Sequence, residues 1–342
     1  MLAPSPIPSL PGHLRIAPLL DIPELLLSFG VSPDPLFKEV GLALRVFGNP
    51  DNRIDYAALA RLLDACVRHT GCAHFGLLVG ECFALSRLGI VGELLRNAPN
   101  VGAALGGLAR HLQVHDRGAA PVLIDVSPSQ CLLGYSVYHH DLFDTAQIQD
   151  TALAMACRLL RELCGPAWQA RRVNFSRARP AAIQAYRGLF GCKLQFDAQM
   201  PGVIFDRRWL DQPIAAADPA VFARISATLE AARIDMGLGE QVERILLHLL
   251  PAGQASAASI SRELGISERT LRRRLEAEGS KLQQLISQTR YEMARQLLLC
   301  THLPVAGIAA SLQYDDANAF SRAFKRWAGI SPLRWRQALD RA

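Results

Sequence analysis

No run of 18 consecutive apolar residues occurs in the 342-residue chain, so no membrane span is predicted. The opening stretch MLAPSPIPSLPGHLRIAPLL lacks a basic start and a long apolar core. It does not read as a signal peptide, and a cytoplasmic location is expected. Eight cysteines (66, 72, 82, 131, 157, 164, 192 and 300) form no C-x-x-C pair and no regular spacing. They read as buried, reduced thiols, not as a disulfide framework or a metal cluster. Gly102, Gly106 and Gly107 do not make a dinucleotide or P-loop fingerprint. Ser86 and Ser129 lack the setting of a nucleophile elbow. His139, His140 and Asp141 cluster without a third and fourth ligand at suitable spacing, and read as a polar loop. His69 and His74 flank a helix end, where imidazoles meet free carbonyls. These absences leave no cofactor, no metal and no enzyme predicted.

What is present is a globular composition with uneven charge. Half of the residues are hydrophobic and a fifth charged, so the chain does not read as disordered. From Met236 onward there are 15 Lys and Arg against 10 Asp and Glu, whereas Met1 to Asp235 carries 22 against 21. A near-neutral body with a basic C-terminal third places a polyanionic partner at the C-terminus.

Prolines at 4, 6, 8 and 11 make residues 1–14 a flexible arm. A helical pattern runs from Ile16 to about Gly30, a short helix follows near Leu36 to Gly41, and Tyr56 to Thr70 forms an amphipathic helix closed by Gly71. Asn100 to Val114 is helical and rich in small residues. Pro121 to Val126 and Cys131 to Tyr138 read as a hairpin, Asp144 to Cys164 as a long helix. Strand candidates at Arg172 to Ser176, Cys192 to Phe196 and Gly202 to Phe205 follow, with a helix from Pro180 to Phe190 between them. Residues 15–215 are therefore an α+β domain with a small sheet. Tyr135, Tyr138, Trp168 and Tyr186 could line an apolar cavity there, with core packing as the default. Residues 216–238 read as a linker helix, and 239–342 as an all-α domain.

That last domain carries a helix-turn-helix. Ser256 can cap a first helix whose Ile260 and Leu264 face one way, and Gly265 supplies a left-handed turn. Ile266 plugs the space between the helices, and Ser267 can cap a second helix with Leu271 and Leu275 inward. Arg269, Arg272 and Arg273 then point to solvent, as an outer helix entering a DNA major groove requires. A second copy follows: Ile308 and Leu312 repeat Ile260 and Leu264, and Phe320 and Phe324 repeat Leu271 and Leu275. The offset grows from 48 to 49, so the second turn is one residue longer. Leu282 to Cys300 forms one helix between the copies, about 28 Å long at roughly 1.5 Å per residue. That rod can hold two recognition helices about one B-DNA turn apart. Pro304 begins the helix after it, where its missing N–H needs no partner.

The segments Ile308-Ala309, Phe320-Ser321-Arg322-Ala323-Phe324-Lys325-Arg326-Trp327 and Gly329-Ile330-Ser331-Pro332 resemble the signature of the AraC/XylS family of bacterial transcription regulators. The resemblance spans about Gly239 to Gln337 and implies two helix-turn-helix subdomains joined by the long helix. Carried onto this chain, it places base contacts on Arg269, Arg272, Arg273, Asn318, Ser321 and Arg322. Phosphate contacts are expected from Ser256, Ser267, Thr270, Lys325 and Arg326. Three positions depart from the family pattern: Gln313 stands where Gly is usual, Ser261 where Ala is common, and Gly307 where a polar residue is common. Gln in a left-handed turn costs about 1 kcal/mol against Gly, so either strain or a different turn is expected there.

Arg53 to Leu78, Phe190-Gly191-Cys192 and Val203 to Asp206 with Leu210 resemble the arabinose-binding-type N-terminal domain, in a branch that includes regulators of ornithine use. This resemblance implies effector sensing, dimerisation, or both. The expectation is a DNA-binding regulator, an activator by family resemblance, with double-stranded DNA, a small effector, a homodimer partner and RNA polymerase as partners. The alternatives are a ligand-free dimeric repressor or architectural protein, and a small-molecule enzyme with a DNA-binding tail. A ligand-sized cavity would favour sensing, a filled interior the ligand-free reading.

Overall fold

The computed structural model describes residues 13–116, 119–137, 146–181, 183–198, 200–215, 217–234, 237–250, 253–300 and 303–339. The chain divides into two compact units between Ile225 and Ser226. His139, His140, Asp141 and Tyr138 lie outside the described residues.

The first unit opens with strand β1 (His13–Arg15), paired antiparallel with β2 (Arg53–Asp55). His13 and Leu14, assigned to the arm from sequence, lie in a strand here, and the rest of that segment lies outside the described residues. The single helix expected from Ile16 to Gly30 is two pieces, a 3-10 turn over Ala17–Leu19 and α1 (Ile22–Ser28). Pro18 and Pro23 each occupy a helix start, since proline interrupts a helix anywhere past its first turn. Next come α2 (Pro33–Glu39) and α3 (Tyr56–Thr70). Helix α3 starts where Asp55 accepts from Ala58 N at 2.6 Å and ends at Gly71 with φ 67°.

Two helices went unpredicted, α4 (Phe75–Glu81) and α5 (Gly89–Arg96). They precede α6 (Val101–His111), capped by Asn100. Strands β3 (Ala119–Ser127) and β4 (Gln130–Val137) form the expected hairpin. The long helix is α7 (Ala146–Cys164), followed by β5 (Arg172–Asn174), α8 (Ile183–Phe190), β6 (Lys193–Gln195) and β7 (Gly202–Asp206). The sheet order is β3-β4-β7-β5-β6, antiparallel except for the β5–β6 pair. Helix α4 lies hard against α7 because it offers no side chain at two contact points. A Cβ at Gly76 would fall 2.4 Å from Gln147 O, and one at Gly80 2.5 Å from Thr151 O. Thr151 Oγ1 donates to Gly76 O at 2.9 Å across that seam.

Helix α9 (Pro219–Ile234) contains the division between the units. The second unit continues with α10 (Leu238–Leu249), α11 (Ala257–Glu263), α12 (Glu268–Ala277), α13 (Leu282–Cys300), α14 (Val305–Ser311), α15 (Ala317–Ala328) and α16 (Pro332–Leu339). Pro304 is the cap residue of α14, one position before the helix proper. Helix α10 packs on α13 and on both members of the α11–α12 pair, and α14, α15 and α16 also pack on α13. Among the described residues no single helix is long and apolar enough to cross a membrane.

Candidate nucleic-acid interface

Two copies of one turn build the surface. In the first, Gly265 has φ 64°, Gly265 N donates to Arg262 O at 3.2 Å, and Ile266 N to Ser261 O at 3.1 Å. In the second, Gln313 has φ 58°, Gln313 N donates to Ala310 O at 3.0 Å, and Tyr314 N to Ala309 O at 2.9 Å. The hydrogen-bond pattern is the same at an offset of 48, so the turn at Gln313 does not differ; it is strained. Its side chain offsets that strain, because Gln313 Nε2 donates to Leu249 O and Leu250 O at 3.2 and 3.3 Å, at the end of α10. Arg290 of α13 donates to Gln313 O at 3.2 Å and stacks over the Tyr314 ring at 4.9 Å. The extra residue of the second turn is taken up before α15, where Asp316 caps by accepting from Ala319 N at 2.6 Å.

Helix α12 is seated by Leu271 and Leu275, both fully buried. Ser267 caps it, accepting from Thr270 N at 3.2 Å, and Ser256 caps α11, accepting from Ser259 N at 3.0 Å. Arg269, Arg272 and Arg273 are exposed. With two leucines fixing the buried stripe, 100° per residue puts Arg269 and Arg273 opposite the core and Arg272 on a flank. Arg272 is 3.5 Å from Glu268, one turn back. It also borders a cleft of about 440 Å³ with Ser256, Glu276, Lys281 and Arg290, between α12 and the start of α13. The sequence reading missed Lys281, whose only cue is a lone cation at the start of the long helix.

Helix α15 is seated by Phe320, Ala323 and Phe324. Phe324 contacts the Tyr291 ring of α13 at 5.7 Å and Trp335 of α16 at 6.0 Å. Asn318, Arg322, Lys325 and Arg326 are exposed, and Ser321 is half-buried. Each recognition helix thus turns cations and hydrogen-bonding groups outward from a locked apolar stripe, the arrangement a polyanion groove accepts.

The family described as "Arabinose-binding domain of AraC transcription regulator, N-term" matches residues 30–214, and "Helix-turn-helix domain" matches residues 260–338. The chain is 30% identical over 326 residues to the HTH-type transcriptional regulator VirS of Mycobacterium tuberculosis, covering 94% of this chain and 96% of that protein. The chain belongs to the AraC family of transcription regulators. A second relative, the ornithine utilization regulator of Pseudomonas aeruginosa, is 29% identical over 330 residues, 92% of this chain and 94% of its own. The crystal structure of the transcriptional regulator CdpR from Pseudomonas aeruginosa is similar over 94% of this chain and 96% of its own, with a TM-score of 0.48 at 24% identity. This AraC-family chain is a DNA-binding transcription regulator and not an enzyme.

The first unit of this regulator holds a cavity of about 130 Å³ between α7, α3, the end of α6 and the β3–β4 hairpin. Its walls are carbon: Leu59, Phe83, Leu108, Leu133, Met155 and Leu159. One corner is polar. Tyr56 Oη donates to Asp116 Oδ2 at 2.5 Å, Tyr135 Oη also donates to Asp116, and the two hydroxyls lie 2.6 Å apart. Burial, then the charge of Asp116, pushes the Tyr56 hydroxyl well above the ordinary tyrosine range. Arg15 donates to His115 Nδ1 at 2.8 Å and pairs with Asp51 at 2.5 Å. Burial first, and then the charge of Arg15, lowers His115 to about 4, so the ring is neutral at pH 7. Of the aromatic residues flagged in the sequence, Tyr135 lines this cavity.

Trp168 and Tyr186 are core residues instead. Tyr186 and Arg177 hold the fully buried carboxylate of Asp150, each at 2.5 Å. His69 pairs with Glu39 at 2.8 Å, a surface structural contact. Burial raises the thiols of Cys66 and Cys164 to about 12, which keeps them protonated and inert. No group of three or more metal-ligating side chains occurs among the described residues.

Proposed function

We propose that this chain is a cytoplasmic transcription activator that reads two adjacent major grooves and answers to a small effector held in its first domain. Residues 15–215 form the sensing and dimerising domain, 216–238 the linker helix, and 239–342 the DNA-binding domain. The carrying observation is the duplicated turn with an outward cationic helix in each copy. Arg269, Arg273, Asn318 and Arg322 are the base readers. Arg272 and Ser321 read from the flanks. Ser256, Ser267, Thr270, Lys325 and Arg326 anchor phosphates, with Lys281 and Arg290 beside them.

The cavity supports effector control over the ligand-free alternative, since a filled interior would leave nothing to bind. Effector binding shifts the population toward the DNA-competent chain, and pairing two copies raises occupancy through effective concentration. RNA polymerase is the partner through which an activator acts. Footprinting on genomic DNA identifies the operator, and titration on it tests the readers. Arg273→Ala and Arg322→Ala each weaken binding by about 1–3 kcal/mol and relax preference at one base pair. Full affinity and unchanged preference in both variants would refute the reading.

A further inference from the structure

We propose that the cavity of the first domain takes a compact, uncharged, mainly apolar molecule of about one six-membered ring, carrying a single hydroxyl. This inference rests on the effector-sensing reading and narrows it to a ligand class.

Size is the first constraint. A dry apolar cavity of about 150 Å³ holds benzene, and this one is about 130 Å³. A sugar would bring several hydroxyls to walls that offer carbon, and each unpaired one is penalised. An extended acyl chain would overfill the space.

Charge is the second. The cavity has one anionic and one cationic side chain, and each already has hydrogen-bonding partners. Asp116 accepts from Tyr56 and Tyr135, while Arg15 pairs with Asp51 and donates to His115. A carboxylate ligand would add a second negative charge beside Asp116. An ammonium ligand would set a positive charge beside Arg15, and could meet Asp116 only by displacing its tyrosine donors. Either charge would be desolvated against walls of carbon.

A hydroxyl is the remaining fit, because it both donates and accepts. It can enter the Tyr56–Asp116–Tyr135 cluster without changing the charge count. One donor at the cavity also calls for an oxygen: Arg15 Nε is buried with no acceptor. The neutral His115 ring next to it keeps this end of the site uncharged apart from Arg15 itself.

The test is thermal unfolding of the full chain with phenol, toluene, benzoate, benzylamine and decanoate as probes. Phenol raises the Tm saturably, toluene less, and the three charged probes do not. Ala156→Phe, on the α7 wall, fills the space and abolishes the phenol shift. Ala152→Leu does the same with a smaller insertion if the Phe variant does not fold. Tyr135→Phe lowers phenol affinity about tenfold, to the toluene level, and leaves toluene unchanged. An equal or larger shift with a charged probe, or a phenol shift that survives both filling variants, overturns the proposal. If a charged or larger metabolite both shifts Tm and switches a reporter gene, and Ala156→Phe abolishes both effects, the ligand class falls and the sensor reading stands. If no probe or metabolite shifts Tm or the reporter, both fall.

Discussion

Replacing Glu292 by Gln should stabilise the DNA-binding domain at alkaline pH and change it little at pH 5. Glu292 sits on α13, the helix between the two reading units, and is only 6% exposed. Gln288 donates a long hydrogen bond of 3.4 Å to it. Burial lifts its carboxyl from the ordinary 4.5 to about 7, and the nearby Glu243 of α10 adds to the lift. Burial and Glu240 raise Glu243 in turn, while Arg295 opposes the effect at Glu292. A folded-state value above the unfolded one means that the native chain holds the extra proton. The stabilisation from the protonated form is complete below 4.5 and is lost as pH rises through 7. At 1.36 kcal/mol per pH unit, the loss is about 3 kcal/mol by pH 8. Gln mimics the protonated acid at every pH, so it avoids this loss. Hydrogen exchange along α13 in the full chain reads the effect locally. At pH 8, opening should slow by about ten- to a hundredfold in Glu292→Gln relative to wild type. At pH 5 the two should agree within about fivefold. A ratio independent of pH, or faster opening in the variant at pH 8, would refute the assignment of a buried, proton-holding carboxyl.

Three further substitutions test the packing around the sites. Ser261 is 4% exposed and its Oγ has no partner, whereas the equivalent position in the second copy is Ala309. Ser261→Ala should therefore stabilise the domain by about 1 kcal/mol in urea unfolding, and a loss of stability would show that the hydroxyl is satisfied. Gln313→Ala keeps the left-handed strain and loses both bonds to α10, while Gln313→Gly loses the bonds but relieves the strain. The Gly variant should be more stable than the Ala variant by about 1 kcal/mol, and an Ala variant as stable as wild type would deny the clamp any role. Asp150→Ala strands Arg177 beside Phe175 and Tyr186. It should destabilise the first domain by about 3–5 kcal/mol in thermal unfolding, and a change below 1 kcal/mol would mean that water replaces the pair.

Local rules made the second unit legible. Each helix-turn-helix is encoded by a cap, a left-handed residue and two apolar positions four apart, all within about twenty residues of chain. The repeat then supplied an internal check: Ile260 against Ile308 and Leu271 against Phe320. In the first unit, α3 and α7 were legible for the same reason, since a long amphipathic stripe and a cap suffice. Helices α4 and α5 were not. Each is eight residues or fewer and contains two glycines; α4 is apolar nearly all round, and the stripe of α5 spans only about two turns and has no side-chain cap. The helicity of α4 is fixed by tertiary contact, as the close approach of Gly76 and Gly80 to α7 illustrates. The β1–β2 pair escaped because three-residue strands 38 residues apart carry no alternation. The cavity was invisible for a related reason. Tyr56, Asp116 and Tyr135 are separated by 60 and 19 residues, and nothing in their local patterns announces that they meet.

The rod between the readers is only half of what sets their spacing. A single helix fixes the distance between its two ends, but each subdomain could still pivot about its own junction with that helix. Helix α10 supplies a second strut. At its start, Glu278 accepts from Leu238 N and Gly239 N, both at 3.0 Å, and Glu278 directly follows recognition helix α12. At its end, Gln313 of the second turn donates to the Leu249 and Leu250 carbonyls. The free N–H groups of one helix terminus and the free carbonyls of the other are thus satisfied by residues from different reading units. With α13 as one side and α10 as the other, the two units are joined twice, which restricts pivoting where one joint would allow it. The left-handed Gln at a position that favours Gly then has a physical reason, because glycine would relax the turn and release the strut. Under the proposed two-groove reading, Glu278 and Gln313, which touch no base in that scheme, would help decide which two stretches of a duplex are read together.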